Sequence, residues 1–250
     1  MRRMDFDEYL TSLDSHSSDA PIIAFFDLDR TLIDGYSLTA LAMQQLVNGD
    51  LGVRRFCSLG LMFLRYGLGR IDYADMLAAT VTDIQGMPEA ELKQLSRQAF
   101  DVRLADWLYR EGDALIQKHL ALGHEVVMVT SATTYQAEPI AQVLRINNVL
   151  ATELDIVDGK VAGGVTPCFG QGKFTAAKAF AQRANAQLKD AYFYTDSKDD
   201  LPLMLEVGHP VVVNGKPKLV KIGQDNGWVS LRFHDTGRDH FAALDQRRAA

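Results

Sequence analysis

Short apolar runs alternate with helical patterns along most of this chain. Four runs are mostly apolar and end at a polar residue, the pattern of buried parallel strands whose ends carry polar groups. They span residues 22–26, 125–129, 191–194 and 210–213. Asp158-Gly159, between two apolar stretches in residues 154–161, predicts a β-hairpin. Strands that alternate with helices predict an α/β fold with a doubly wound parallel sheet of Rossmann-like type.

The chain between the first two predicted strands shows only helical periodicity. The predicted helices cover residues 38–47, 53–66, 73–82, 88–100 and 104–122. A βαβ connection is usually short, so this stretch is longer than a crossover requires. We therefore predict that residues 36–110 form a helical cap inserted after the first strand.

The remaining chain divides around this cap. The predicted α/β core comprises residues 21–35 and 111–233, preceded by a polar N-terminal extension (1–20) and followed by a polar C-terminal tail (234–250). The chain has 250 residues, of which 47% are hydrophobic and 23% charged, as in ordinary globular proteins. No apolar run approaches the roughly 18–20 residues that cross a bilayer, so no integral membrane segment is expected.

Charge and cysteine content limit the classes of binding partner and the cellular compartment that we expect. The net charge of −6 argues against nucleic acid as a partner, because phosphate-backbone binding needs clustered Lys and Arg. The N-terminus lacks the apolar segment of a secretory signal, so a cytoplasmic location is expected. Cys57 and Cys168 are far apart and have no partner at metal-binding spacing, which predicts no disulfide framework.

Acidic residues follow two of the predicted strands. Asp27 and Asp29 follow the first, and Asp196, Asp199 and Asp200 follow the third. In open α/β sheets, ligands bind outside the carboxyl ends of the strands. Carboxylates gathered there repel one another, and a hard divalent cation relieves that repulsion. Oxygen ligands of this kind suit Mg²⁺.

Three further residues suit a phosphoryl group. Thr130 follows the second predicted strand and offers a hydroxyl, with the backbone N–H of Ser131 next to it. Lys173 offers a positive charge at a predicted helix start. Phosphoryl transfer requires the equatorial oxygens to be neutralised by metal, Lys and N–H donors.

Each of these residues also has a structural interpretation. Aspartates at strand ends commonly cap helices, and Thr130 could do the same. Lys173 could be a solvated lysine, and Asp199 a surface or supporting residue. Asp34 and Tyr36 either face the substrate or shape the turn where the chain enters the cap.

Taken together and in order, these motifs resemble the haloacid dehalogenase superfamily, within its phosphoserine-phosphatase-like branch (subfamily IB). The resemblance covers residues 22–231. The motifs are Asp27-Leu28-Asp29-Arg30-Thr31, then Thr130, then Lys173, then Asp196-Ser197-Lys198-Asp199-Asp200. Arg30 stands where the superfamily often has a small residue, and it is expected not to touch the required groups.

The resemblance implies a role for each matched position. Asp27 would be the nucleophile that forms an aspartyl-phosphate, and Asp29 the general acid and base. The implied Mg²⁺ ligands are the Asp27 and Asp196 side chains and the Asp29 main-chain oxygen, with Asp200 supporting the metal or its waters. The implied phosphate-binding residues are Thr130, Ser131 and Lys173. Asp29 favours phosphoryl transfer over dehalogenation, and the rarity of mutases favours hydrolysis.

The predicted function is Mg²⁺-dependent hydrolysis of a small phosphorylated metabolite. Phosphoserine is disfavoured, because residues 35–41 lack the acidic residue that the family's phosphoserine phosphatases use for the amino group. Residues 51–71 carry four arginines and no acid among apolar residues: Arg54, Arg55, Arg65 and Arg70. This stretch is either a peripheral surface for anionic lipid, which would suit a lipid-like phosphate ester, or a packed cap helix whose arginines attract the substrate.

Two rival classes stay open at this point, and the oligomeric state is not predicted. A signalling receiver uses similar residues but is about half this length and has no cap. A non-catalytic binding protein on the same scaffold is disfavoured by the complete set of motif residues.

Overall fold

The fold is built on one eight-stranded sheet. A computed structural model describes residues 2–15, 20–68, 70–237, 239 and 241. The strands are β1 (Arg2–Arg3), β2 (Ile23–Phe26), β3 (Glu125–Thr133), β4 (Asn148–Val157), β5 (Lys160–Thr166), β6 (Tyr192–Thr195), β7 (His209–Val213) and β8 (Val229–Leu231). Their order is β1-β8-β7-β6-β2-β3-β4-β5, and every neighbouring pair is parallel except β4–β5. The four predicted strands are β2, β3, β6 and β7.

Helices cover both faces of this sheet. They are α1 (Phe6–Ser12), α2 (Ser37–Asn48), α3 (Val53–Gly67), α4 (Tyr73–Ile84), α5 (Glu89–Ala99), α6 (Ala105–Trp107), α7 (Arg110–Ala121), α8 (Thr134–Leu144), α9 (Gln171–Arg183), α10 (Leu201–Met204) and α11 (Pro217–Asp225). Successive residues of a strand point to opposite faces. Accordingly, Ala24 and Phe26 pack with one core cluster, while Ile23 and Phe25 pack with a second on the other face. The predicted doubly wound fold is confirmed.

The predicted hairpin is confirmed as β4–β5. Asp158 and Gly159 form its turn with φ values of 49° and 71°, the left-handed region that a two-residue hairpin turn requires. The hairpin also supports the helical insertion. Val81 and Leu92 of that insertion pack in one buried cluster with Val161.

The helical insertion after β2 is confirmed as α2 to α6, but one of its predicted helices is wrong. Residues 104–122 were expected to form one helix, and the chain instead breaks at Leu108, which is extended and pairs with Ile33. The Tyr109 N–H then donates to the Leu32 carbonyl at 3.0 Å. The outgoing and returning connections of the cap therefore run side by side. The domain boundaries stated above stay a prediction.

The N-terminal segment packs against the sheet. Arg2–Arg3 pairs in parallel with β8, and Tyr9 and Leu13 are buried in the main core cluster. Phe6 and Leu10, which are partly buried, pack against the same cluster, so one face of α1 holds this segment to the core. Residues 16–19 and most of the C-terminal tail lie outside the described residues, although Phe241 is buried in the same cluster.

Two expectations about the chain's environment can be compared with the structure. None of the described helices is long and apolar enough to span a membrane. Both cysteines are free thiols: Cys57 is exposed and Cys168 is buried. The cytoplasmic location and the absence of a nucleic-acid partner stay predictions.

A buried histidine should make the stability of the fold depend on pH. His119 lies 2.7 Å from the Tyr194 hydroxyl and 2.8 Å from His124 Nδ1. Burial, with help from His124 and His209, lowers the pKa of His119 from 6.5 to about 3. His119 therefore stays neutral when folded but is protonated in the unfolded chain below about pH 6.5, which lowers stability as the pH falls.

The test compares the wild type with His119→Gln by urea unfolding. The stability advantage of the wild type is expected to shrink by about 1.4 kcal/mol between pH 7.5 and 5.5, because the unfolded wild type takes up the extra proton. A difference that stays constant over this range would contradict the neutral state assigned to His119.

Candidate active site

The carboxyl ends of β2, β3 and β6 meet at one edge of the sheet. In the register, Phe26 of β2 lies opposite Met128 of β3 on one side and Tyr194 of β6 on the other. The residue after Phe26 is Asp27, which is buried and whose N–H donates to the Tyr194 carbonyl at 3.0 Å. Parallel pairing thus brings the predicted motifs to the same place.

Lys173 is enclosed between two aspartates. It is the third residue of α9, and its side chain is only 2% exposed. Its Nζ lies 2.6 Å from Asp27 Oδ1 and 3.0 Å from a carboxylate oxygen of Asp200. Burial alone would lower the pKa of Lys173, but the Asp200 and Asp27 carboxylates outweigh burial and raise it. The interpretation as a solvated lysine is wrong.

Asp200 is hydrogen-bonded to a threonine that was not among the predicted site residues. The Thr195 hydroxyl donates to Asp200 Oδ2 at 2.6 Å, and the Ser197 N–H donates to the same hydroxyl at 3.1 Å. Asp200 is buried, and burial raises its pKa to about 6. The hydroxyl and Lys173 therefore fix the direction of a carboxylate that has little contact with water.

Asp29 lies where the chain enters the cap. Its Oδ1 accepts the N–H of Ser37, the first residue of α2, at 2.7 Å. The helix-capping interpretation is thus correct for one of its oxygens. Burial raises the pKa of Asp29 to about 7, although the Ser37 N–H works in the opposite direction. Near neutral pH this carboxyl has comparable protonated and ionised populations, which suits a group that both donates and accepts a proton.

Asp196 has an oxygen that lacks a hydrogen-bond partner. Its Oδ2 is buried and accepts no hydrogen bond in the described part of the chain. Two cations form ion pairs with this same oxygen without making a hydrogen bond, Arg30 Nε at 3.4 Å and Lys216 Nζ at 3.5 Å. The expectation that Arg30 avoids the required groups is therefore wrong. Its φ of 62° places it in the left-handed region, in the turn that follows β2.

Thr31 connects two of the aspartates. It is fully buried, its hydroxyl donates to Asp27 Oδ2 at 3.3 Å, and the Asp196 N–H donates to that hydroxyl at 3.1 Å. Thr31 belongs to the first motif, but its sequence position assigned it no role. Its place two residues after Asp29 was the available signal.

Thr130 and Ser131 lie at the same edge but make separate contacts. Regular pairing of β3 with β4 ends at Val129 and resumes only at Thr133. The Thr130 hydroxyl is buried and accepts the Ala132 N–H at 3.1 Å, and the Ser131 carbonyl accepts the Tyr73 hydroxyl at 3.0 Å. Helix α8 begins with a capping box formed by Thr133 and Gln136, so Thr130 is not its cap. The phosphate-binding roles of Thr130 and Ser131 stay predictions.

Aromatic side chains of the cap lie against the core at this edge. The Tyr66 hydroxyl of α3 donates to Asp199 Oδ2 at 3.1 Å, and the Tyr73 ring stacks on Phe169 with ring centres 3.9 Å apart. Asp199 is half-buried and supports this contact. These residues carried no motif, and only the folded chain shows them beside the site.

The donor set fits a hard cation. Asp27 and Asp196 both bring buried carboxylate oxygens, and the Oδ2 of Asp196 has no hydrogen bond and only long ion pairs to Arg30 and Lys216, so a bound cation would satisfy it. Within the described ranges, no three His, Cys, Asp or Glu side chains are grouped so as to hold a metal by themselves. The predicted set differs from such a group, because one of its ligands is the main-chain oxygen of Asp29.

Comparison with known proteins identifies the family. Residues 24–205 match the family model described as haloacid dehalogenase-like hydrolase. The chain belongs to this family. A probable phosphatase of Mycobacterium tuberculosis is 31% identical over 215 residues, which cover 84% of this chain and 75% of the relative. The predicted membership of the phosphoserine-phosphatase-like branch is confirmed, and the chain is a phosphatase of this haloacid dehalogenase family.

Other relatives differ in what they act on. A protein named histidinol-phosphatase from Neisseria meningitidis is 28% identical over 84% of this chain and 98% of its own length. Among solved structures, a protein of unknown function from Bordetella pertussis aligns with a TM-score of 0.77 at 26% identity, over 85% of this chain and 98% of that chain. A phosphoserine phosphatase captured as a phospho-aspartyl intermediate analogue aligns with a TM-score of 0.65 at 15% identity, over 90% and 99%. At that identity the last likeness shows the fold alone.

The buried ion pairs of Lys173 with Asp27 and Asp200 predict a large effect on stability. In metal-free buffer, Lys173→Met is expected to lower the free energy of unfolding by about 3–5 kcal/mol at pH 8, because it leaves Asp27 and Asp200 buried without their cation. The loss should be smaller at pH 5. Both carboxyl groups have raised pKa values, and protonation removes the unpaired charge.

Urea unfolding of both proteins measures this effect. Lys178→Met, at an exposed lysine of the same helix, is the matched control and should change stability by less than about 0.5 kcal/mol. Equal losses for the two variants would show that the buried ammonium has no special role.

Proposed function

We propose that the chain is a Mg²⁺-dependent phosphomonoesterase that acts on a small phosphorylated metabolite through an aspartyl-phosphate at Asp27. The observation that carries this proposal is the convergence of three groups at one sheet edge. Asp27 is buried there against Lys173, and Asp29, with a pKa near 7, lies two residues further along the chain. These are a nucleophile, a phosphate-binding cation and a proton-transfer group.

In the proposed first step, a carboxylate oxygen of Asp27 attacks phosphorus and the bond from phosphorus to the ester oxygen breaks. Protonated Asp29 gives its proton to the leaving oxygen, so an alcohol departs. In the second step, ionised Asp29 takes a proton from water while that water attacks phosphorus. Inorganic phosphate leaves, and Asp27 becomes a carboxylate again. Two easier steps replace one difficult displacement.

Other groups would hold the phosphoryl oxygens and keep Asp27 oriented. Lys173 lies 2.6 Å from Asp27, so it would neutralise a phosphoryl group attached there. Thr130 and the N–H of Ser131 are the proposed further donors. Thr31 and Lys173 each hold one oxygen of Asp27, which limits rotation of the nucleophile.

Mg²⁺ is the proposed cofactor. Asp27, Asp196 and the main-chain oxygen of Asp29 would hold it, with Asp200 in support. When bound, it supplies positive charge that stabilises the phosphoryl oxygens during transfer. The Oδ2 of Asp196, which is buried and accepts no hydrogen bond in the described part of the chain, supports this assignment.

The substrate class is proposed from the size of the relatives' substrates and from the site. Two relatives are named for phosphoserine and for histidinol phosphate, both small phosphomonoesters that carry an amino group. The stretch from Gly35 to Leu41 lacks the carboxylate expected for phosphoserine, and the cap instead brings Tyr66 and Tyr73 to the site. The missing carboxylate counts against both amino esters, whereas the two tyrosines suit an aromatic substrate. We therefore place aryl phosphates first, and histidinol phosphate, which carries an imidazole ring, ahead of phosphoserine as test substrates.

The experiment measures phosphate release from a panel of esters with Mg²⁺ and with a chelator. The panel comprises an aryl phosphate, phosphoserine, histidinol phosphate, sugar phosphates and lysophosphatidate. Turnover is expected to fall at least about a thousandfold in chelator and to return when Mg²⁺ is added, because the developing charge loses its main neutralising group. Full activity in chelator would contradict the cofactor assignment, and lysophosphatidate as the best ester would contradict the substrate class.

A further inference from the structure

Helix α3 carries an exposed apolar stripe on the side that faces away from the active site. Its members follow one another at intervals of four, four, three and four residues, which keeps them on one face of a helix. They are Val53, Cys57, Leu61, Leu64 and Leu68. Val53 is 67% exposed, and Leu61, Leu64 and Leu68 are 50–60% exposed.

The opposite face of α3 is the one that holds the helix in place. Leu59 is buried in a cluster with Leu51, while Phe56 and Met62 pack against that cluster. Tyr66 reaches Asp199 from the same helix. The stripe therefore takes no part in the packing of α3 against the rest of the helical insertion or in the contact of α3 with the site.

Charge accompanies the stripe on one side. Arg54 and Arg65 follow the stripe residues Val53 and Leu64 by one position each, so they lie along one flank of the stripe, and both are exposed. Arg55 is paired with Asp83 at 2.9 Å, whereas no ion pair of Arg54, Arg65 or Arg70 occurs within the described ranges. Residues 51–71 contain no acidic side chain, although the whole chain has a net charge of −6.

We propose that this face of α3 binds the surface of an anionic phospholipid bilayer. The leucine stripe would lie among the headgroups and upper acyl chains, and the arginines would contact lipid phosphates, as in interfacial amphipathic helices. Charge complementarity selects this occupant over a second copy of the chain. A two-fold pairing of α3 with itself would bring arginines toward arginines with no acid in the helix to compensate.

This inference stands apart from the catalytic proposal, because it concerns where the enzyme resides and not which ester it hydrolyses. Phe63 and Tyr66 lie on the other side of α3, toward Tyr36 and Asp199. The stripe would therefore meet the bilayer on the side of α3 opposite the site, and the chemistry stays with the core.

Co-sedimentation with vesicles tests the proposal on the full chain. Vesicles of equal parts phosphatidylglycerol and phosphatidylcholine are compared with pure phosphatidylcholine. The wild type is expected to sediment with the anionic vesicles and at least about tenfold less with the neutral ones, and raised salt should weaken the binding. The variants Leu61→Gln/Leu64→Gln and Arg54→Gln/Arg65→Gln should each weaken binding at least about tenfold.

Leu205→Gln is the matched control. Leu205 follows α10, outside the helical insertion, and is 62% exposed. Its variant should bind vesicles like the wild type. All variants should keep cooperative unfolding and hydrolyse a soluble aryl phosphate at the wild-type rate. Folded wild type that fails to sediment with anionic vesicles overturns the proposal. So does a dimer that Leu61→Gln/Leu64→Gln dissociates in light scattering, since a second copy would then cover the stripe. A raised KM in Arg54→Gln/Arg65→Gln with unchanged vesicle binding would assign the arginines to the substrate instead.

Discussion

Replacement of Asp27 by Asn is expected to lower kcat by about ten-thousandfold or more, the largest effect of any single substitution. The amide has nearly the same shape but lacks the nucleophilic oxygen charge, so it cannot form the acyl phosphate. It also removes the carboxylate nearest Lys173 Nζ and one proposed Mg²⁺ ligand. Phosphate release from the best ester of the panel, under saturating Mg²⁺, measures the loss.

Two controls separate chemistry from folding. Asp225→Asn, at an exposed residue of α11, should keep activity within about twofold of the wild type. Urea unfolding should show that the Asp27→Asn protein is still folded, because Lys173 retains Asp200 as a partner. If the folded variant kept a tenth of wild-type turnover, Asp27 would not be the nucleophile.

The second large effect is expected for Asp29→Asn, with kcat lower by about 10²–10⁴-fold, the usual contribution of a positioned acid and base. The two steps should respond differently. An aryl phosphate with a good leaving group needs little help from an acid, so the first step should survive while attack by water slows. The phospho-enzyme then accumulates.

Rapid-mixing measurement of phenol release tests this difference. With an aryl phosphate, Asp29→Asn should give a burst of about one phenol per enzyme followed by slow turnover. With an alkyl phosphate, the same variant should give no burst of the released alcohol. The wild type under the same conditions is the reference. Absence of a burst, with equal losses for aryl and alkyl esters, would mean that Asp29 does not act as the base of the second step.

The parts of the fold that could be predicted are those with a local pattern. The apolar runs of β2, β3, β6 and β7 are continuous because both faces of a parallel strand are buried, so the sequence shows them directly. The hairpin turn was predictable for a similar reason, since Asp158 and Gly159 both need φ values that few residues tolerate. Strand ends then implied where polar residues would meet.

The errors come from contacts between distant parts of the chain. The helical pattern runs through Leu108 without interruption, and only pairing with Ile33 ends the helix there. Arg30 was expected not to touch the required groups, but its Nε lies 3.4 Å from Asp196 Oδ2. Neither contact has a signature in local sequence.

The residues of the site divide in the same way, into those that a sequence motif indicates and those that only the folded chain brings together. The family motifs predicted that Asp27, Lys173 and Asp200 come together, and the structure brings these three side chains into contact, although Lys173 alone carries no sign in the sequence that it is buried. Thr195 and Thr31, which position those carboxylates, were missed as functional residues because a hydroxyl near a motif is common. The aromatic residues that the cap contributes depend on how α3 and α4 pack, so the substrate class could not be derived from sequence.

Direct detection of the phospho-enzyme tests the central claim. Wild-type protein is mixed with excess aryl phosphate and Mg²⁺, quenched in acid within the first turnover and digested at low pH, and the peptides are analysed by mass spectrometry. We expect one added phosphoryl group on the peptide that contains Asp27, at the side chain of that residue, and none in Asp27→Asn. Efficient turnover with no phosphorylated peptide, or with the phosphoryl group on another residue, would contradict it.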